Sequence, residues 1–394
     1  MEAHAADWLN LLIRWVHLIT GIAWIGSSFY FVWLDNTLLP PRRQTAIDEG
    51  VGGELWAVHG GGFYHVQKFR VAPGELPGTL HWFKWAAYWT WLSGFALLAV
   101  MYYANARTYM IDPAVADIAP WQAIAISVGL LVAGWLVYDQ LCKRLGLARE
   151  RILAVLMIVF IALVAFGLSH LFSGRALYLQ VGAMLGTIMA ANVLFVIIPS
   201  QRQLVLAKER NQPPDPVYGQ RGKQRSVHNN YFTLPVLFTM ISNHYPMTWG
   251  HPQAWLLLLA IGLLSAYVRH FFNLRHRGRT AWAIPVTATI AALILAIAAA
   301  PPRSDATLAP PFSRVQAIMD ARCVSCHAQQ PAYPGFAVAP KGLMLDTPER
   351  VVAAARQIYE QSVATRAMPI GNLTGMTDAE RVELGSWIAA GMPR

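Results

Sequence analysis

Charge is scarce in this sequence: Asp, Glu, Lys and Arg make up only 13% of its 394 residues, about half the share found in soluble domains. This shortage excludes an ordinary soluble enzyme. The hydrophobic fraction of 55% excludes a disordered chain, which combines low hydrophobicity with high charge. With only three cysteines, the chain cannot form the dense disulfide framework of a small secreted protein.

The sequence contains long runs of apolar residues, and these runs predict a membrane protein. A helix needs about 20 apolar residues to cross the ~30 Å hydrocarbon core of a bilayer, where backbone groups must be satisfied within the protein. We therefore predict an all-α fold with an eight-helix transmembrane bundle in contact with membrane lipid. The predicted spans lie near Trp8–Leu34, Trp82–Ala104, Trp121–Leu141, Ile152–Phe172, Ala176–Ile198, Tyr231–Met247, Gln253–Phe272 and Trp282–Ala300.

The formal net charge of +10 follows from the predicted topology. Seventeen Lys and Arg residues lie in the first, third, fifth and seventh loops, against two in the second, fourth and sixth. By the positive-inside rule the odd loops are cytoplasmic, which puts both ends of the chain on the outer side of the membrane. The first run is too long for a signal peptide, so we expect it to stay in place. Because the basic residues lie between apolar runs, no nucleic-acid partner is expected.

A second domain is predicted beyond the last span. Residues 1–300 form the membrane domain, residues 301–311 (PPRSDATLAPP) form a Pro- and Ala-rich linker, and residues 312–394 form a small soluble α-helical domain. In that domain Thr377 and Glu380 have the spacing of a capping box, which predicts a final helix that ends near Ala390.

The strongest motif is Cys-x-x-Cys-His at Cys323, Cys326 and His327, the attachment sequence of a covalent haem c. The two thiols bond to the haem and His327 ligates its iron. Met368 follows His327 by 41 residues and is the expected second axial ligand, as in cytochromes c, with Met344 as the alternative. The motif predicts a cytochrome c domain on the outer side of the membrane.

Ionisable residues within membrane spans are costly and are therefore candidates for function. His17, His170 and His244 lie towards the outer ends of predicted spans. They are candidate ligands of a second, b-type haem, which would bridge electrons to the haem c. The alternative is that these histidines sit at the membrane interface and bond to carbonyls or water.

A second polar group lies on the inner side, where histidines are interleaved with aromatic rings, amides, Lys and Arg. Side chains of these kinds could bind a flat, anionic heterocycle. Alternatively, they form a belt at the membrane interface, in which the Lys and Arg side chains reach the lipid headgroups. Within this group, residues 54–69 alternate around Gly60-Gly61-Gly62, which predicts a cytoplasmic β-hairpin.

These stretches resemble the bacterial membrane-bound urate hydroxylase (urate oxidase) family, in which an eight-helix urate oxidase domain is fused to a C-terminal cytochrome c. The residues that carry the resemblance are Trp24–Asn36, Glu54–Lys68, Leu80–Gly94, His228–Tyr245 and the haem domain with Met368-Pro369. It spans nearly the whole chain in order. One departure is Ala86, where the resemblance leads us to expect an acidic residue.

The resemblance implies that urate is oxidised to 5-hydroxyisourate by dehydrogenation and hydration. Electrons would pass through haem c to a soluble cytochrome c or a terminal oxidase. The catalytic candidates are three histidines, whose ordinary pKa near ~6.5 suits proton transfer, and a lysine: His59, His65, His81 and Lys84. The substrate-binding candidates carry amide or guanidinium groups: Asn229, Asn230 and Arg269.

Two other functions fit the sequence. An electron-transfer subunit would pass electrons from a quinol or a partner dehydrogenase to periplasmic cytochrome c, and it needs no substrate pocket. A transporter with a fused cytochrome would use the break that Pro235 makes in the sixth span. Reduction of the haem by urate distinguishes the enzyme from both.

Overall fold

The computed structural model describes residues 2–301, 304–334 and 336–393, which are mostly helical. Each predicted span coincides with a long helix over most of its length, and we label these helices α1 to α8. Two of them contain a π-helical turn, at Leu98–Tyr103 and at Val193–Ile197. The bounds are α1 Glu2–Thr37, α2 Trp85–Leu97 with its π turn, α3 Pro120–Leu145, α4 Glu150–Ser169, α5 Gly174–Asn192 with its π turn and Ile198–Glu209, α6 Pro216–Ile241, α7 Ala254–His276 and α8 Ala283–Ala298.

Five helices in the described part of the chain are long and apolar enough to cross a membrane: Asp7–Thr37 in α1, then α3, α4, the continuous α5 and α7. Large apolar side chains on these helices face outward, with Trp15 61% and Leu163 65% exposed. Contact with water would leave this apolar surface unfavourably hydrated. The outward-facing rings and aliphatic chains therefore indicate association with a membrane.

The α5 helix lies at the centre of the bundle. It contributes Met184, Leu185 and Ile188 to the largest buried cluster, together with residues of α3, α4 and α7. Gly182 allows close approach of α6, because a Cβ added there would overlap the side chain of Thr239. Small residues at such contacts let helices in a membrane pack closely.

The sixth helix differs from its predicted bounds. It begins at Pro216 rather than near Tyr231, because the Asp215 carboxylate accepts a hydrogen bond from the Val217 N–H and caps the helix. It ends at Ile241 and is followed by a 3₁₀ turn at Ser242–His244. Hydropathy located only the apolar half of this helix, since its first half is polar.

The predicted hairpin is confirmed. Strands β1 (Val51–His59) and β2 (Gly62–Phe69) pair antiparallel, with Trp56 opposite His65. Gly60 and Gly61 both have positive φ, as tight hairpin turns require. The fold is therefore mostly helical with one small sheet, rather than entirely α.

The C-terminal domain has three labelled helices, α9 (Phe312–Arg322), α10 (Pro348–Ala353) and α11 (Asp378–Ala389). Its core includes the fully buried Trp387. The predicted capping box is confirmed, since the Thr377 hydroxyl accepts from the Glu380 N–H and the Glu380 carboxylate accepts from the Thr377 N–H. Shorter helical turns in the chain are Gln44–Asp48, Ala106–Tyr109, Pro246–Trp249, Ala306–Leu308, Pro340–Gly342, Ala355–Ile358, Tyr359–Ala364 and Ile370–Asn372.

The two domains make close backbone contacts. Gly250, between α6 and α7, faces the carbonyl oxygen of Thr365, and Gly371 faces that of Thr108, between α2 and α3. A Cβ added to either glycine would overlap these oxygens. The C-terminal domain thus lies against the loops that follow α2 and α6. These loops are at the end of the bundle opposite the Lys- and Arg-rich loops.

Candidate functional site

A buried polar cluster lies where α6 meets α7. The Nε of Arg269 donates to Oδ1 of Asn230 over 2.8 Å, and Nδ2 of Asn273 donates to the same oxygen over 3.2 Å. The Arg269 guanidinium also lies over the ring of Phe29 in α1, 4.0 Å from its centroid. All three polar residues are buried, so α1, α6 and α7 enclose the cluster.

Several polar atoms of this cluster have no hydrogen-bond partner among the described residues. They are two donors, Asn230 Nδ2 and Arg269 Nη2, and one acceptor, Asn273 Oδ1. Leaving a buried polar group unpaired costs about 1–3 kcal/mol. Donors, an acceptor and a positive charge that remain unpaired together fit a small, polar, anionic ligand.

Tyr231 and His270 form a hydrogen-bonded pair directly beside this cluster. Each follows a cluster residue in sequence, Asn230 and Arg269 respectively. The Tyr231 hydroxyl lies 2.7 Å from Nδ1 of His270, and the two rings are nearly parallel, at 28°. The sequence pattern places Tyr231, His270 and Asn273 in the inner polar group but assigns none of them an individual role.

The neighbouring residue Asn229 belongs to a different network. Its Nδ2 donates to the carbonyl oxygen of Met189 over 2.9 Å, and its Oδ1 accepts from Asn192 over 2.8 Å. Both polar atoms of its side chain are therefore used in joining α6 to α5. Of the predicted substrate-binding residues, the structure brings Asn230 and Arg269 together and places Asn229 elsewhere.

The network around Asn229 extends to the protein surface. Asn192 also donates to the Tyr138 hydroxyl over 3.0 Å, and this hydroxyl lies 2.8 Å from Nδ1 of His228. On its other side His228 contacts the exposed Glu150, with Nε2 3.0 Å from Oε2. A buried ion pair between Arg225 and Asp139, 2.8 Å apart, lies next to Tyr138.

The predicted catalytic histidines lie on the surface. His65 pairs with Glu54, with Nε2 3.0 Å from Oε2, and stacks on Trp56, while His59 and His81 are exposed. The backbone N–H of Arg42 and the imidazole of His65 hold the pKa of the Glu54 carboxyl below its ordinary value of 4.5. No hydrogen bond or ring contact between described residues joins these three histidines to Arg269 or Asn230.

Lys84 and Ala86 lie at the start of α2. The Lys84 ammonium lies over the Trp85 ring, 5.2 Å from its centroid, and has no carboxylate partner in the described part of the chain. The Ala86 carbonyl oxygen accepts a hydrogen bond from the Thr90 hydroxyl over 2.7 Å. The next residue, Ala87, is buried in an apolar cluster.

The three outer histidines do not meet at one place. His17 lies between α1 and α2, with Nδ1 3.0 Å from the carbonyl oxygen of Thr90. His170 and His244 instead line a cavity of about 1370 Å³ between the even loops and the C-terminal domain, and His251 lines it as well. The b-type haem site stays a prediction: two imidazoles would hold the haem, and of the three candidates His170 and His244 line this cavity whereas His17 does not.

The same cavity is lined by Met368 of the C-terminal domain. The backbone of this residue is fixed on both sides, because its N–H donates to the Gln361 carbonyl and its own carbonyl oxygen accepts from Arg381 over 2.8 Å. Arg175 and Arg366 also line the cavity. Met368 therefore faces the membrane domain.

The haem-attachment motif has the local geometry that haem c requires. The His327 N–H donates to the Cys323 carbonyl over 2.9 Å, a helical turn that brings the motif residues to one side. Nδ1 of His327 lies 2.9 Å from the Leu343 carbonyl oxygen, which leaves Nε2 for the iron. The residues present fit a haem c, which Cys323, Cys326 and His327 would hold, with Met368 as the proposed second iron ligand.

Apolar helices around a buried polar site, with a small helical domain on one side, define a membrane-associated class of protein. Residues 3–300 match the family model described as urate oxidase N-terminal. The chain therefore belongs to the urate oxidase N-terminal family, and it is an oxidoreductase-like protein with a urate-related function. No curated protein and no solved structure matches it.

Proposed function

We propose that the protein spans the membrane as an eight-helix bundle, oxidises urate at the buried cluster between α6 and α7, and passes the electrons to haem c in its C-terminal domain. The observation that carries the proposal is the set of unpaired polar atoms on Asn230, Arg269 and Asn273, in a chain of the urate oxidase N-terminal family. Urate is a flat anion with carbonyl acceptors and N–H donors on its edges. Its carbonyl oxygens can accept from the two unpaired donors, and a ring N–H can donate to the unpaired acceptor.

Each residue of the cluster has a distinct task in binding. Nη2 of Arg269 and Nδ2 of Asn230 would donate to urate carbonyl oxygens, and Oδ1 of Asn273 would accept from a ring N–H. The Arg269 charge neutralises the anion, an interaction strengthened by its burial. The Phe29 ring holds the guanidinium plane by a cation–π contact.

The reaction balances without hydrogen peroxide. Loss of two electrons and one proton turns the urate anion into neutral dehydrourate, and addition of water gives 5-hydroxyisourate. Cys323 and Cys326 would attach the haem, and His327 and Met368 would ligate its iron. When bound, haem c carries one electron at a time to a soluble cytochrome c or a terminal oxidase.

Stoichiometry tests this proposal. With purified protein, urate and soluble ferricytochrome c, we expect two cytochromes c reduced for each urate consumed and no hydrogen peroxide. An electron-transfer subunit would instead accept electrons from a quinol and leave urate untouched. Urate consumption that depends on oxygen and yields peroxide would also contradict the proposal.

A further inference from the structure

Two Tyr–His pairs of nearly the same geometry lie on either side of α6. In one, the Tyr231 hydroxyl lies 2.7 Å from Nδ1 of His270, and in the other the Tyr138 hydroxyl lies 2.8 Å from Nδ1 of His228. In both pairs the phenol can donate its proton to the imidazole. Their surroundings differ, and this difference separates their functions.

The Tyr138–His228 pair is fully engaged. Asn192 donates to the Tyr138 hydroxyl, and Nε2 of His228 contacts the Glu150 carboxylate. No polar atom of this pair is left for a ligand, so the pair holds α3, α4, α5 and α6 together.

The Tyr231–His270 pair has free capacity. The Tyr231 oxygen makes no hydrogen bond to a described residue other than His270, and Nε2 of His270 makes none to any described residue. The pair adjoins Asn230 and Arg269, each of which keeps one buried polar atom unpaired. Beside the buried cluster the pair thus offers a ring nitrogen, Nε2 of the partly exposed His270, that no described residue occupies.

We propose that Tyr231 and His270 take the proton that urate loses on oxidation, an inference that rests on the proposed function. A urate N–H donates its proton to the Tyr231 oxygen while the Tyr231 O–H proton moves to Nδ1 of His270. The imidazolium then releases its Nε2 proton to water on the inner side. The two electrons leave to haem c, so charge and atoms balance, and the exposed histidines of the hairpin are not required.

Two variants and one matched control test this relay. His270→Gln and Tyr231→Phe are compared with His228→Gln, which alters the other pair. For each purified holoprotein the equilibrium Kd of urate, the kcat of urate-dependent haem c reduction and its solvent deuterium isotope effect are measured. We expect His270→Gln and Tyr231→Phe to lower kcat about 100-fold or more, the range of general acid–base catalysis. The Kd should change less than about 3-fold, and His228→Gln should keep wild-type kcat.

The outcomes separate the relay from the proposed function. If wild type neither binds urate nor passes electrons from it to the haem, the proposed function fails and the relay fails with it. If wild type is active and both relay variants keep wild-type kcat and isotope effect, only the relay is wrong. Tyr231→Phe removes one hydroxyl and keeps the stacked ring, so it decides the matter if His270→Gln does not fold. A rise in Kd with unchanged kcat would also contradict the relay, because it would indicate a role in binding alone.

Discussion

Arg269 and Asn230 are joined by a 2.8 Å hydrogen bond, yet each keeps a second polar atom that is buried and unpaired. The bond fixes both side chains before a ligand arrives, so that binding costs little side-chain entropy. The unpaired atoms are a cost to the folded protein without a ligand. The binding free energy at this site should therefore be most favourable for a ligand that forms a hydrogen bond with each unpaired atom.

Replacing Arg269 with Lys should weaken urate binding. The substitution keeps the charge but removes the planar donor set of the guanidinium. A hydrogen bond to a charged group contributes about 1.5–3 kcal/mol, so the Kd of urate should rise by about 10-fold or more. Equilibrium dialysis measures it, with Arg277→Lys as the control, since Arg277 is exposed and bonds to Asn36 at the end of α1. Equal Kd values for both variants would place the urate site elsewhere.

Replacing Gly250 with Ala should disturb the contact between the domains. Gly250 has ordinary helical backbone angles, so alanine meets no backbone strain there, but its Cβ would overlap the Thr365 carbonyl oxygen. Overpacking of this kind costs about 1–3 kcal/mol. We expect slower haem c reduction by urate with an unchanged urate Kd, measured by stopped-flow absorbance.

The control for this change is Gly262→Ala in α7, where an added Cβ meets no atom within 4 Å. This variant should reduce its haem at the wild-type rate. Equal rates for Gly250→Ala and wild type would show that the packed contact does not govern electron transfer between the domains.

Replacing Met368 with Ala should leave the haem attached but change its redox behaviour. In the proposed haem site Cys323 and Cys326 would attach the haem, whereas a methionine ligand raises the reduction potential of the iron. Redox titration should therefore give a lower potential for Met368→Ala, and urate should reduce its haem less completely. Met344→Leu is the control and should keep the wild-type potential. The reverse pattern would assign the ligand to Met344.

Acid should loosen the hairpin through Glu54. Because the Arg42 N–H and His65 lower the folded pKa of this carboxyl below 4.5, its contribution to stability is present above the unfolded pKa. It is lost as the pH falls through the folded pKa. Amide hydrogen exchange of residues 51–69, corrected for intrinsic rates, should increase more on acidification than exchange in α5. In Glu54→Gln this additional increase should be absent, and its persistence would show that another group is responsible.

The apolar helices and the hairpin were predictable from the sequence because their signals are local. Runs of apolar residues mark spans, and alternation around three glycines marks paired strands. The polar first half of α6 carries no apolar signal, but Asp215-Pro216 is a helix start that could have revealed it. The capping box at Thr377 is likewise local and was found.

The buried site was only partly predictable because it depends on which helices are neighbours. Asn229 and Asn230 are adjacent in sequence but point about 100° apart on α6, and only packing decides that one faces α5 and the other α7. Asn273 lies one turn after Arg269, a spacing that could have indicated it. His17 was assigned to the outer half of its span, but no sequence pattern shows that it packs against α2.

The most direct test of the central claim is an anaerobic reduced-minus-oxidised spectrum of the detergent-solubilised protein with urate as the only reductant. The account predicts that the haem c α-band appears when urate is added and that Arg269→Lys needs more urate to produce it. A haem that stays oxidised with saturating urate, while dithionite reduces it fully, would contradict the account.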